Sequence, residues 1–245
     1  MSISIRNLVI AGVAVFIVGA VALFPARAAY HWFFPDEIRL SGIGGTVWNG
    51  RASEGQIDAL YLRNLNWTVS PWALLRGALK LEVSVSPAGG FLESDVEAGL
   101  SGAVTLTNLS AGINLEALRG LLPLYGIDGG VRLQLERLQI AGGIPYGAEG
   151  TVEVTSLVTP LSRSPIGSYR ARLSGADDGI SASLEDIDGI FDIAGSLRLD
   201  AVGNYEIRGL VMPTPEASPD IVRQLQFLGS PNERGQREFR LEGSL

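Results

Sequence analysis

The fold is decided by the stretch Ala78-Leu79-Lys80-Leu81-Glu82-Val83-Ser84-Val85, in which apolar and polar residues alternate. Because successive side chains of a β-strand point to opposite faces, this alternation places the leucines and valines together on one face. Lysine, glutamate and serine occupy the other face. The segment is therefore predicted to be a strand with one side buried and the other in water.

The same alternation recurs along the chain, with glycine-containing turns between several of the segments. About a dozen such strands predict an antiparallel meander, which a sandwich, a barrel or an open curved sheet could each accommodate. The fold class is therefore mainly β. The clearest further strands are 131–136, 151–155, 169–173, 196–200 and 238–242, and the turns are Gly129-Gly130, Gly142-Gly143, Asp178-Gly179 and Asp188-Gly189.

Two short helices are predicted beside the strands. The segment 114–122 begins with Asn114 as a helix cap, carries leucines at helical spacing and stops at Pro123. The segment 219–228 opens with Pro219 and places apolar residues on one side of a helix.

An apolar segment precedes the β region. Residues 8–24 read LVIAGVAVFIVGAVALF without a charge, and at ~1.5 Å per residue a helix of this length comes close to the roughly 30 Å of a bilayer core. We expect a transmembrane anchor over residues 8–25, after a stub at residues 1–7. Arg6 and the terminal amine favour a cytoplasmic N-terminus.

A cleaved signal peptide is the alternative, because Ala26-Arg27-Ala28 has the small-x-small pattern of a cleavage site. Retention is favoured for two reasons. The apolar run is longer than the signal-peptide core of roughly 7 to 15 residues, and the aromatic cluster at 30–34 matches a membrane-interface belt.

Composition excludes several function classes. The net charge of −7 disfavours nucleic acid as a partner. The absence of cysteine excludes disulfides and thiolate chemistry, and a single histidine, His31, cannot build a three-imidazole metal site. No glycine-rich phosphate loop opens a helix, so we expect no nucleotide site.

Two motifs carry a family resemblance. The first is the segment 40–50 (LSGIGGTVWNG), and the second is 67–77 (WTVSPWALLRG). Physically, the first predicts a strand, a tight turn and a strand with Trp48 on the buried face, and the second predicts a helical turn from Pro71 whose Ala73, Leu74 and Leu75 pack under the sheet. Both motifs are expected to define the fold rather than a binding site.

With the preceding exit Leu23-Phe24-Pro25-Ala26, these motifs resemble the type II secretion system protein N family, most closely over residues 20–85. The resemblance implies a single-pass inner-membrane protein with a periplasmic β domain at 35–245, an accessory part of the machine that exports folded proteins. It also implies a likeness to the curved sheets of AsmA-type proteins linked to lipid handling.

The densest acidic stretch, 185–192, could in principle hold calcium, but it lacks the ligand spacing of a calcium loop and is better interpreted as a solvated hairpin. Paired carboxylates for glycoside chemistry are not excluded by sequence, yet nothing recommends them. We therefore predict no enzyme and no catalytic, cofactor-binding or metal-binding residues. The expected partners are other type II secretion components and membrane lipid; a lipid-binding or lipid-transfer groove is the alternative function.

Overall fold

A computed structural model of the chain describes residues 5–33, 38–57, 60–74, 76–87, 89–99, 102–118, 126–160, 162, 164–176 and 179–245. These residues form one 14-stranded sheet in which each main strand pairs with the next in chain order. Every pairing is antiparallel, and the first and last strands form its two edges. The predicted antiparallel meander is confirmed, and the sheet is open rather than closed.

The strands are joined mostly by short turns. The two-residue strand β2 lies beside the main path and pairs with β3. The elements are α1 (Ile5–Ala22), α2 (Ala26–Phe33), β1 (Ile38–Ser41), β2 (Gly44–Gly45), β3 (Asn49–Ile57), β4 (Leu60–Val69), α3 (Pro71–Leu74), β5 (Ala78–Pro87), β6 (Phe91–Gly99), β7 (Val104–Asn114), a 3-10 helix (Leu115–Leu118), β8 (Asp128–Ala141), β9 (Ile144–Val158), β10 (Gly167–Ala176), β11 (Gly179–Gly189), β12 (Phe191–Asp200), β13 (Asn204–Pro213), α4 (Pro219–Gln224), a second 3-10 helix (Leu225–Leu228) and β14 (Arg237–Ser244).

One face of this sheet is apolar across many strands, because residues directly opposite each other in a register share a face. Leu81 lies opposite Val96, Val96 opposite Leu106, and Leu106 opposite Leu138. The same relation continues through β9 to Leu241 on β14. We call this surface the apolar face and the opposite one the polar face.

Three interruptions of the ladder keep the apolar side chains on one face. Asn64, Asn108 and Ser156 have positive φ angles of 50°, 54° and 50°, and each lies within a register shift. An extra residue in a bulge would otherwise turn the apolar side chains of the rest of the strand to the polar face. The residue with positive φ restores the alternation of apolar and polar side chains between the two faces.

The sheet bends toward its apolar face at the end of the strands near the β8–β9 turn. Ala148 of β9, Ile180 of β11 and Leu199 of β12 form a buried cluster. In a flat sheet β9 and β11 would be about 10 Å apart, two strand spacings, yet Cα atoms of the two strands approach within 8 Å of each other. The sheet therefore bends here, and Ala148 and Ile180 join one buried cluster.

The structure modifies two local predictions and confirms a third. Asn114 ends β7 instead of capping a helix, and only Leu115–Leu118 of the predicted helix is described, as a 3-10 turn. Residues 119–122 lie outside the described part. Gly129-Gly130 lies inside β8 rather than in a turn. Gly130 pairs with Thr155 of β9, and a Cβ at Gly129, which has φ +140°, would lie 2.8 Å from the Thr155 carbonyl oxygen. The helix predicted at 219–228 is confirmed as α4 and the following 3-10 turn.

At the N-terminus, α1 covers most of the apolar segment. Among the residues that the structure describes, no helix combines the length and the apolar character needed to cross a membrane.

Candidate functional site

The first motif joins the N-terminal helix to the sheet. The indole Nε1 of Trp48 donates a hydrogen bond to the Val21 carbonyl of α1 at 2.8 Å. The Val47 amide donates to the Phe24 carbonyl at 3.0 Å, and Pro25 forms an isolated bridge with Thr46. We call these contacts the exit clamp, since they fix the point where the chain leaves α1.

The glycines of this motif make room for the clamp. The ring of Trp67 lies against Gly50, so that a Cβ there would lie 2.5 Å from Trp67 Cε2 and 2.8 Å from the Thr46 carbonyl oxygen. Trp67 Nε1 also donates to the Val47 carbonyl at 3.1 Å. Trp48 of the first motif and Trp67 of the second therefore hold the strand–turn–strand unit and α1 together, which is a role in the fold.

The prediction for the second motif is partly wrong. Pro71 begins a helical turn as expected, but Leu74 is 44% exposed and Trp72 is 75% exposed. Because α3 connects the ends of β4 and β5, its side chains project beyond the sheet instead of packing beneath it. Ala73 is half-buried, and Leu75 lies outside the described residues.

Helix α2 lies on the apolar face of the first strands. Ala26 is 4% exposed, and the Tyr30 hydroxyl donates to the Ile38 carbonyl at 2.8 Å and accepts from the Leu40 amide at 3.1 Å. Between the helix and the strands a cavity of about 340 Å³ remains. Its walls include Ala29, Leu65 and Leu81, so it is an apolar groove that adjoins the exit clamp.

A second apolar groove lies at the opposite end of the strands. Its volume is about 610 Å³, and Ile166, Phe191, Ile221 and Leu225 contribute to its walls. On its rim, Phe227 is 93% exposed. The sequence predicts the helix at 219–228 but not the groove, because the groove depends on the position of α4 relative to the β9–β10 loop.

The polar face carries a ladder of ion pairs across β8 to β11. Glu153 lies 3.5 Å from Arg132 and 2.8 Å from Arg170, and Arg170 and Arg172 lie 3.2 Å and 2.7 Å from Glu185. A second set joins Glu206 to Arg208 and Arg240. Opposite charges alternate from strand to strand, so these acids and bases are used within the sheet.

The acidic stretch at 185–192 forms the end of β11 and its turn to β12. Glu185 pairs with arginines, and Asp186 Oδ1 accepts a hydrogen bond from the Ile193 amide at 3.1 Å. Among the described residues, no group of three or more histidine, cysteine or acidic residues has the arrangement of a metal site. The stretch is part of a hairpin, and the prediction of no site residues stays a prediction.

Burial raises the pKa of the nearby Tyr169 hydroxyl to about 12, with the charges of Asp186 and Asp188 adding to the effect. The hydroxyl donates to the Ile166 carbonyl at 3.1 Å. This half-buried phenol holds the β9–β10 loop against the sheet at the wall of the second groove.

The accessible part of the apolar face lies between the two grooves. Val96 and Leu106, in the middle of β6 and β7, remain half-exposed there. Their neighbours in sequence on the polar face, such as Thr105, are hydrophilic. The candidate functional surface is therefore this apolar face with its two grooves, and the free edge of β14 beside it.

The comparisons with known proteins agree on one family. The model of the family "Type II secretion system (T2SS), protein N" matches residues 36–240. Type II secretion system protein N of Aeromonas hydrophila is 27% identical over 227 residues, and that of Vibrio cholerae is 26% identical over 222 residues. Each alignment covers 86% of this chain and 86% of the relative.

No solved structure matches the chain, so the family model and the two relatives carry the assignment. The family model spans nearly the whole β region and includes both tryptophan motifs, the first of which forms the exit clamp while Trp67 of the second supports it. The chain belongs to the type II secretion system protein N family.

Proposed function

We propose that the chain is an accessory, non-enzymatic component of the type II secretion system. In this proposal the N-terminal segment anchors it in the inner membrane, and the β region lies in the periplasm and binds other secretion components. The family assignment supports a role in this system. The half-exposed apolar face is the observation that carries the binding role.

The anchor rests on the sequence and on exposed aromatic residues. Residues 8–24 carry no charge. Trp32 and Trp72 are exposed at the end of the strands that adjoins α1, and tryptophan is enriched at membrane interfaces. The exit clamp would then hold the sheet at a fixed position close to the bilayer.

Binding through the apolar face follows from its chemistry. Large apolar surface left in water is unfavourable by roughly 25 cal/mol per Å², so a concave apolar surface favours a partner that covers it. The polar face offers no comparable surface, because its charges are paired across strands. We therefore assign partner binding to the apolar face.

The test compares two neighbouring positions on β7. Leu106→Gln places an amide on the apolar face, and Thr105→Gln places the same group on the polar face. If the apolar face binds a secretion component, Leu106→Gln should reduce export of a secreted substrate in complemented cells, whereas Thr105→Gln should not. Equal export by both folded variants, checked by thermal melting, would contradict the assignment.

A lipid-binding groove is a second candidate. The cavity of about 610 Å³ beside α4 and the smaller one beneath α2 have mostly apolar walls, which suit an acyl chain. A photoreactive residue at Ile221 should then form an adduct with phospholipid in membranes that contain the full chain. Recovery of unmodified protein alone would count against this candidate.

A further inference from the structure

The last strand, β14, is an edge that a second strand can extend. Its eight residues, Arg237–Ser244, pair with β13 on one side, and no described strand pairs with the other side. The Arg237 guanidinium contacts the Gly229 carbonyl, which holds the preceding loop at the start of the strand. The remaining edge presents backbone groups that only another extended backbone satisfies in register.

We infer that the occupant of this edge is a second copy of the same chain, with the two β14 strands antiparallel about a two-fold axis. The inference is independent of the proposed function. It joins two sheets into one continuous sheet and keeps their apolar faces on the same side. An isologous pairing of this kind requires a strand that is complementary to itself.

The side chains of β14 select one register. Phe239 and Leu241 lie on the apolar face, and Glu238, Arg240 and Glu242 lie on the polar face. With Leu241 opposite Leu241 of the second copy, Arg240 stands opposite Glu242 of the second copy, and the pair occurs twice. Directly opposite residues of opposite charge stabilise an antiparallel pair, and like charges destabilise it.

The neighbouring registers are worse. Placing Arg240 opposite itself sets the two arginines against each other. It also brings Glu238 of each chain opposite Glu242 of the other, so like charges face each other at three positions. Placing Phe239 opposite itself pairs Glu238 with Arg240, but it brings Arg237 opposite Leu241 in the interior of the strand and places a charge beside an apolar side chain. In the Leu241 register Arg237 lies opposite Leu245, beyond the end of β14, so the Leu241 register is favoured.

Two further observations favour this register. Leu241 is 56% exposed although it faces the apolar side, and a second Leu241 would cover it. The side chains of Arg240 and Glu242 are 55% and 56% exposed and contact each other in one chain, and Arg240 also pairs with Glu206. Their exposure leaves room for a further pair across the two-fold axis.

The absence of cysteine from the chain permits a direct test. Leu241→Cys in the full-length chain, oxidised in its native membrane, should give a disulfide-linked dimer. Ser244→Cys is the matched control, because in this register position 244 is six residues from its own counterpart, about 20 Å, and this variant should give no disulfide-linked dimer. Co-expressed Glu238→Cys and Ser244→Cys chains should link to each other.

The outcomes separate the alternatives. Failure of Leu241→Cys to cross-link, or equal cross-linking of Leu241→Cys and Ser244→Cys, would overturn the proposal. In the Leu241→Cys background, Arg240→Glu should reduce the dimer several-fold, and the exchange Arg240→Glu with Glu242→Arg should restore it. If the double exchange did not restore the amount of cross-linked dimer, the proposed pairing of Arg240 with Glu242 would also be contradicted.

Discussion

At the residue scale, the exit clamp depends on Gly50. A Cβ at this position would overlap the Trp67 ring and crowd the Thr46 carbonyl oxygen, and overpacking of this kind costs roughly 1–3 kcal/mol. Gly50→Ala should therefore lower the free energy of unfolding by about that amount in urea titration. Gly44→Ala is the control, since its nearest atom would be Arg51 Nε at 3.6 Å. Equal losses in both variants would contradict the role of the clamp.

A second residue-scale prediction concerns Tyr169. Its pKa is raised from 10.0 to about 12 in the folded chain, so folding favours the neutral phenol. This contribution to stability is present below pH 10 and is lost as pH rises through about 12. The stability of Tyr169→Phe should therefore fall less steeply than that of the wild type over this interval, as measured by urea unfolding. If the stabilities of the two proteins changed equally with pH over this interval, a raised pKa of Tyr169 in the folded chain would be contradicted.

The sequence could not predict the partner of Trp48. The motif indicates that Trp48 is buried, and the ring is half-buried in the structure. Its hydrogen bond to Val21 depends on where α1 meets the sheet, which is a tertiary contact between residues far apart in sequence. For the same reason, the exposure of Leu74 was not predictable from the apolar composition of its motif.

At the scale of elements, the bulges are sites of backbone strain. Ser156 has φ +50° and an exposed side chain, and the left-handed region costs an L-residue roughly 1–2 kcal/mol, with β-branched residues disfavoured most. Ser156→Gly should leave stability unchanged within about 0.5 kcal/mol or raise it, whereas Ser156→Val should lower it by about 1–2 kcal/mol. Thermal melting measures both, and equal melting temperatures would rule out the strain.

The ion-pair ladder makes a further element-scale prediction. Arg170 bridges Glu153 and Glu185 across three strands, and its side chain is 30% exposed. Arg170→Met should lower the free energy of unfolding at low salt and lower it less at 1 M salt, because salt screens exposed charges. A loss independent of salt would indicate that packing, rather than charge, is responsible.

Strands are the elements that the sequence predicts best. Alternation places β5, β8, β9, β10, β12 and β14 correctly, because a half-buried strand shows its two faces directly in the residue order. Asn64 and Asn108 suit a left-handed backbone, but Ser156 gives no comparable signal. The segment from Asn114 misleads because β7 extends through the asparagine that resembles a helix cap.

At the scale of the whole molecule, the sequence predicts the meander but not how it bends. The choice among sandwich, barrel and open sheet depends on contacts such as that of Ala148 with Ile180, whose strands β9 and β11 are not adjacent in the sheet. The two apolar grooves depend on the positions of α2 and α4 against the sheet. They are therefore visible only in the folded chain.

The most direct measurement is site-specific photo-cross-linking at Leu106 and Thr105 in cells with an active secretion system. Because Leu106 lies on the apolar face and Thr105 on the polar face of the same strand, the two probes differ only in the surface they sample. We predict a cross-link from Leu106 to a secretion component and none from Thr105. A cross-link from Thr105 alone, or no protein cross-link from Leu106, would contradict it.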